Sequence, residues 1–154
     1  MAGEPRPVVK VYTVLLDPGR RRHLVWRGED ETTPEGAFHR PLGGHLELGE
    51  HSREGAVREI EEELGEKLED VELLGVLETV FTFRRALGHE VVFVYAATLP
   101  DAGVPDAGAW RSDGGAPIWV EWRDVAGAPL PLHPEGLQEL VDRWLARPGP
   151  HSHS

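Results

Sequence analysis

The stretch from Gly43 to Glu66, GGHLELGEHSREGAVREIEEELGE, limits what this chain can fold into more than any other. Advancing about 100° per residue from Ala56, the side chains of Ala56, Val57, Ile60 and Leu64 share one apolar stripe, the pattern of an amphipathic helix. Ser52 is placed to accept hydrogen bonds from the free amides of the first turn, and Glu54 suits the positive end. Gly65 supplies a C-terminal stop, so a helix is expected over Arg53–Leu64. A helix with one apolar face has to be covered by something.

The cover on offer is mostly strands. Val8–Leu16 (VVKVYTVLL) and Val91–Leu99 (VVFVYAATL) are apolar and β-branched enough to be buried strands, the first ended by the turn signature Asp17-Pro18-Gly19. His23–Arg27 resumes as a short strand and closes a hairpin with the first. Phe38–Leu42 leads into Gly43-Gly44, and Val71–Phe83 reads as a long or bent strand followed by a turn at Leu87-Gly88. The glycine-rich segment Asp101–Pro117 reads as a long loop, and Ile118–Trp122 as a short strand. Glu135–Arg147 spaces Leu137, Leu140, Val141, Trp144 and Leu145 helically, a stripe made for core packing. The class is mixed α/β: a mixed sheet flanked by helices. With 154 residues and no linker or repeat, one domain over 1–154 is expected, its core at about 8–147 and its ends, 1–7 and 148–154, loose. His151 and His153 fall in that tail.

Sixteen Lys and Arg against 27 Asp and Glu give a formal charge of −11. Eleven of those acids lie between Glu47 and Glu72, against only Arg53, Arg58 and Lys67. An acidic chain has no general attraction for nucleic acid polymers or anionic membranes, so neither is an expected partner. No apolar run approaches the roughly 18–20 residues of a membrane span, and no signal peptide is visible, so a cytoplasmic location is expected. The absence of cysteine excludes disulfides, thiolate metal sites and a cysteine nucleophile.

On the helix, Glu59, Glu62 and Glu63 form a second stripe beside the apolar one. Like charges at i, i+3 and i+4 repel by about a few tenths of a kcal/mol per pair, and a divalent cation among them would relieve this. Oxygen-only ligands favour Mg²⁺ or Mn²⁺. Acidic runs on helices are usually solvated faces, and for the triplet taken alone that is the better explanation; no EF-hand loop is present.

The surroundings of the triplet decide between these. Gly44, five residues, Glu50, seven residues, Arg58-Glu59-Ile60, one residue, Glu62-Glu63, one residue, Gly65 reproduces the Nudix box, G-x5-E-x7-R-E-U-x-E-E-x-G-U, with U a bulky apolar residue. Seven fixed identities would coincide by accident in a chain of this length roughly once in a million. The chain therefore resembles the Nudix hydrolases, the MutT-like pyrophosphohydrolases, over most of Val8–Arg147, and the resemblance implies their α/β/α sandwich. One position departs: Glu66 fills the last apolar slot, and Leu68 is expected to supply that contact.

The resemblance implies hydrolysis, by water attacking phosphorus, of a nucleoside diphosphate linked to another moiety. It implies Mg²⁺ or Mn²⁺ held by Glu59, Glu62, Glu63 and the Gly43 carbonyl, with Glu59 alternatively the proton acceptor. Arg58 and Glu50 brace loop and helix. Glu90 and Glu121 are further candidates for the base, because Asp101–Pro117 holds no glutamate. Phe81, Phe83 and Trp110 are candidates to stack a base, and Glu90 joins them as a substrate contact. A small nucleotide or nucleoside diphosphate derivative is the implied partner, and a homodimer is expected from the family's habits. The alternative is a non-catalytic nucleotide-sensing module, which the complete carboxylate set disfavours. An isoprenyl diphosphate isomerase is disfavoured because that chemistry needs a cysteine.

Overall fold

The protein is described here from a computed structural model over residues 6–147. The chain runs β1 (Val8–Leu16), β2 (Arg22–Glu29), β3 (Ala37–His45), α1 (Ser52–Leu64), β4 (Glu72–Phe83), β5 (Ala86–Thr98), β6 (Ala109–Asp113), β7 (Ala116–Asp124) and α2 (Leu137–Ala146). The strands form one mixed sheet in the order β4-β5-β1-β3-β2-β7-β6, with β1 and β5 parallel and every other pair antiparallel. The mixed architecture agrees with the reading from sequence. The tail carrying His151 and His153 lies outside the described residues, none of whose helices is long and apolar enough to cross a membrane.

β1 and β5 are apolar on both faces because both faces are covered. Val11 and Leu15 of β1 join Tyr95 and Ala97 of β5 in a core with Ala56 and Ile60 of α1. Their neighbours Tyr12, Val14, Leu16, Val92, Val94 and Ala96 turn the other way and pack against Leu137, Val141 and Trp144 of α2. Two-sided burial is what turns an alternating strand pattern into a continuous apolar run. The sheet is not flat. β1 pairs antiparallel with β2 through Leu15 and Leu16, β2 with β3 through Val25–Glu29, and β3 with β1 through Leu42–His45. Three strands cannot all be mutually antiparallel in one plane, so β2 and β3 bend as they change partners. The bend brings the end of β3, with Gly43 and Gly44, beside α1.

Three expectations change. Ser52 does not cap α1: His51 holds the cap position and its N–H donates to Glu54 (2.9 Å), while the Ser52 hydroxyl bonds the hydroxyl of Tyr95 (2.7 Å). The turn between β4 and β5 is Arg84-Arg85, both left-handed (φ 51° and 69°), and not Leu87-Gly88. Gly88 lies within β5 because a Cβ there would come 2.4 Å from the Phe81 ring across the ladder. Finally, Asp101–Pro117 is a loop only in its first half. Its second half is β6 and the turn into β7, with Gly114 and Gly115 both left-handed, as a tight two-residue hairpin requires. Leu68 is buried in the α1 core as expected, offsetting Glu66.

Candidate active site

Two of the α1 carboxylates, Glu59 and Glu62, are held by one guanidinium. Arg58 donates from Nε and Nη2 to both oxygens of Glu50 (2.7 and 3.0 Å), and from Nη1 to Glu59 (3.2 Å) and Glu62 (3.0 Å). Nη2 also reaches the His45 carbonyl (3.2 Å), while Glu50 accepts the N–H of Glu47 (3.1 Å). The loop before α1 is thus tied to the helix through a two-pronged ion pair, the geometry at which arginine excels.

Glu59 and Glu63, one turn apart, are both buried, and their carboxylates converge with that of Asp113 at the end of β6. Oxygens of the three lie within 4.8 Å of one another. Burial raises the pKa of Glu59 despite Arg58, with Asp113 and Glu62 adding to the rise. Burial, Asp113 and Glu59 push Glu63 up to about 9, opposed only in part by Arg40. Glu63 Oε1 is buried without a hydrogen-bond partner. Three converging carboxylates with an orphaned buried oxygen call for a proton or a cation, and a hard, oxygen-only donor set fits Mg²⁺ or Mn²⁺. Gly44 makes room for this arrangement: a Cβ there would stand 2.8 Å from Glu59 Oε1. Gly43 is glycine for a different reason, since its φ is 146° and a Cβ would meet the Val11 carbonyl at 2.0 Å.

Not every residue singled out in the sequence joins this cluster. Glu62 stays at the rim, half exposed and held by Arg58. Glu90 is engaged by Lys10 (2.7 Å). Glu121 accepts from the Trp119 indole (2.7 Å) and pairs with His39 (2.7 Å). Phe81 and Phe83 lie on the β4–β5 hairpin, and Trp110 is exposed on β6, edge-on to Trp119. Asp113 was missed as a cluster member. The Asp-Gly-Gly-Ala run does mark a hairpin with Asp113 ending its first strand, but not the carboxylates that the hairpin meets.

These features, a mixed sheet with α1 across its bent end carrying a braced carboxylate cluster, coincide with a known family. The NUDIX domain model matches residues 6–144, and the chain belongs to that family. Among solved structures it is similar to the MutT NUDIX hydrolase from Burkholderia pseudomallei, with 24% identity over 90% of this chain and 98% of that one and a TM-score of 0.59. It is similar to the E. coli dihydroneopterin triphosphate pyrophosphohydrolase at 16% identity over 88% and 93% of the two chains, with a TM-score of 0.62. The NUDIX domain of Shewanella oneidensis NrtR, complexed with ADP ribose, matches at 18% identity over 92% and 90%, with a TM-score of 0.59. At these identities the likeness is one of fold.

Proposed function

We propose that this chain is a metal-dependent hydrolase that cleaves the phosphoanhydride of a nucleoside diphosphate linked to another moiety. The observation that carries the reading is the convergence of buried Glu59 and Glu63 with half-buried Asp113 around a Glu63 oxygen that has no partner among the described residues. Glu63 and Asp113 would hold Mg²⁺ or Mn²⁺, with Glu62 at the rim and the Gly43 carbonyl completing the set. When bound, such an ion supplies charge neutralisation for the phosphates and acidifies water. Glu59 receives the proton of the water that attacks phosphorus, its pKa raised by burial toward the working range of a base. Arg58 keeps Glu59 aligned for that transfer, and the cleaved phosphate leaves as the anion. Two of the similar folds carry diphosphate-containing molecules in their names, dihydroneopterin triphosphate and ADP ribose, which agrees with this substrate class.

Incubation with nucleoside di- and triphosphates, dinucleoside polyphosphates, ADP-ribose and nucleotide sugars tests the reading. Turnover of at least one compound in Mg²⁺ or Mn²⁺, lost in chelator, is expected. Silence across the panel in both metals refutes hydrolysis, and tight binding without turnover would favour the sensing module.

A further inference from the structure

Two guanidinium groups act on the carboxylate cluster, and they are in opposite states. Arg58 is saturated by Glu50, Glu59, Glu62 and a carbonyl. Arg40 is not. Its guanidinium lies 4.8 Å from the ring centre of Tyr12 and 4.5 Å from that of Trp26. Its one hydrogen bond goes from Nη1 to the carbonyl of its own neighbour Pro41, at 3.2 Å. Among the described residues no carboxylate comes within ion-pair distance of it.

The chemistry of the group makes this state informative. A guanidinium has five in-plane N–H donors and is always charged. Contact with aromatic rings engages its faces and leaves the edges free. Arg40 therefore presents a fixed cation whose donors, bar the one given to Pro41, have no acceptor among the described residues. β3 carries it four residues before Gly44, on the strand face that also bears Leu42 of the α1 core and meets Glu59 at Gly44. A half-buried cation beside carboxylates would normally pair with one. Here Glu63 is turned to Glu59 and Asp113, and Arg58 holds Glu59 and Glu62. The acceptor suited to the free edge is a planar or tetrahedral oxyanion from outside the chain.

We infer that Arg40, held by Tyr12 and Trp26, grips a phosphate group of the substrate that the carboxylate cluster and its cation do not hold. The inference rests on the diphosphate-hydrolase reading and adds a second, metal-independent hold on the same substrate. Arg40 sets which phosphate lies against Glu59 and the water; it moves no proton. Its contribution falls on substrate binding and register.

Calorimetry with inorganic pyrophosphate and Mg²⁺ tests this in the wild type, Arg40→Gln and Arg40→Lys, with Mg²⁺ alone titrated in parallel. Replacing the guanidinium by Gln should weaken pyrophosphate binding roughly ten- to a hundredfold, the range expected for charge-assisted hydrogen bonds. Lys should restore part of that loss, because it keeps the charge without the fork. Mg²⁺ alone should bind Arg40→Gln as tightly as the wild type or tighter, since a neighbouring positive charge has gone; an unfolded variant would lose both ligands. Equal pyrophosphate affinity in wild type and Arg40→Gln overturns the inference, as does a wild type that does not bind pyrophosphate. On any nucleotide the panel shows to be cleaved, Arg40→Gln should raise KM more than it lowers kcat. Unchanged KM would refute the role of Arg40 and leave the hydrolase standing. Arg40-dependent pyrophosphate binding with no turnover would do the reverse.

Discussion

Glu63→Gln should stabilise the metal-free protein while abolishing its function. Glu63 is 3% exposed, and its pKa stands at about 9 against 4.5 for an ordinary glutamate. The folded chain therefore keeps a proton there that the unfolded chain releases. Such a group costs nothing below pH 4.5 and progressively more as pH rises toward 9, by about 1.4 kcal/mol for each pH step. At pH 7 this is about 3 kcal/mol, which for a chain of this size corresponds to about 6–12 °C in Tm. Glutamine is nearly isosteric and never ionises, so the variant should escape the penalty. Thermal unfolding in EDTA from pH 5.5 to 8.5 should show the wild type losing stability as pH rises, while Glu63→Gln declines less and melts higher at pH 8. Added Mg²⁺ should raise the Tm of the wild type well above that of its metal-free form, and raise the variant little. Parallel pH profiles for the two proteins, or equal Mg²⁺ stabilisation, would refute both the buried-carboxylate argument and the assignment of Glu63 to the cation.

Arg58→Ala strands Glu50 and Glu59 and should cost about 2 kcal/mol in urea unfolding, between the values for exposed and fully buried pairs. Arg58→Lys should recover little, because a lysine cannot span both oxygens of Glu50. The adjacent glycines should behave oppositely. Gly44→Ala pushes only on the Glu59 carboxylate and should reduce activity with less than about 1 kcal/mol of destabilisation. Gly43→Ala drives a methyl into the Val11 carbonyl at a left-handed φ and should cost several kcal/mol in the same unfolding assay.

What could be read from the chain depended on whether the signal was local. The helix α1 showed itself through a 3.6-residue period, and the bracing roles of Glu50 and Arg58 were implied only by the resemblance of the box. β1 and β5 were legible because burial on both faces leaves an unbroken apolar run. Asp113 was not legible as part of the site, since it meets Glu63 across fifty residues and only the pairing of β6 with β7 brings it there. The Arg84-Arg85 turn was missed because non-glycine residues seldom adopt positive φ, and Gly88 nearby offered the more ordinary choice. His51 took the cap position from Ser52 because the serine hydroxyl had a tertiary partner in Tyr95, which no local pattern reveals. The state of Arg40 was invisible for a similar reason: an arginine without an acid partner is defined by what the fold fails to bring near it.

The β6–β7 hairpin bears on the order of assembly. β6 is bonded on one side only, at the open edge of the sheet, and follows α1 by dozens of residues of synthesis. Until it docks, Glu59 and Glu63 face each other without Asp113, so the crowding of negative charge reaches its full extent only in the finished fold. Under the proposed metal dependence, loading would be the closing event of maturation and not its nucleus, unlike small zinc domains that are unfolded until the ion arrives. If activity depends on the ion as proposed, a cell that ran short of it would accumulate folded, idle protein, ready to be charged when supply returned.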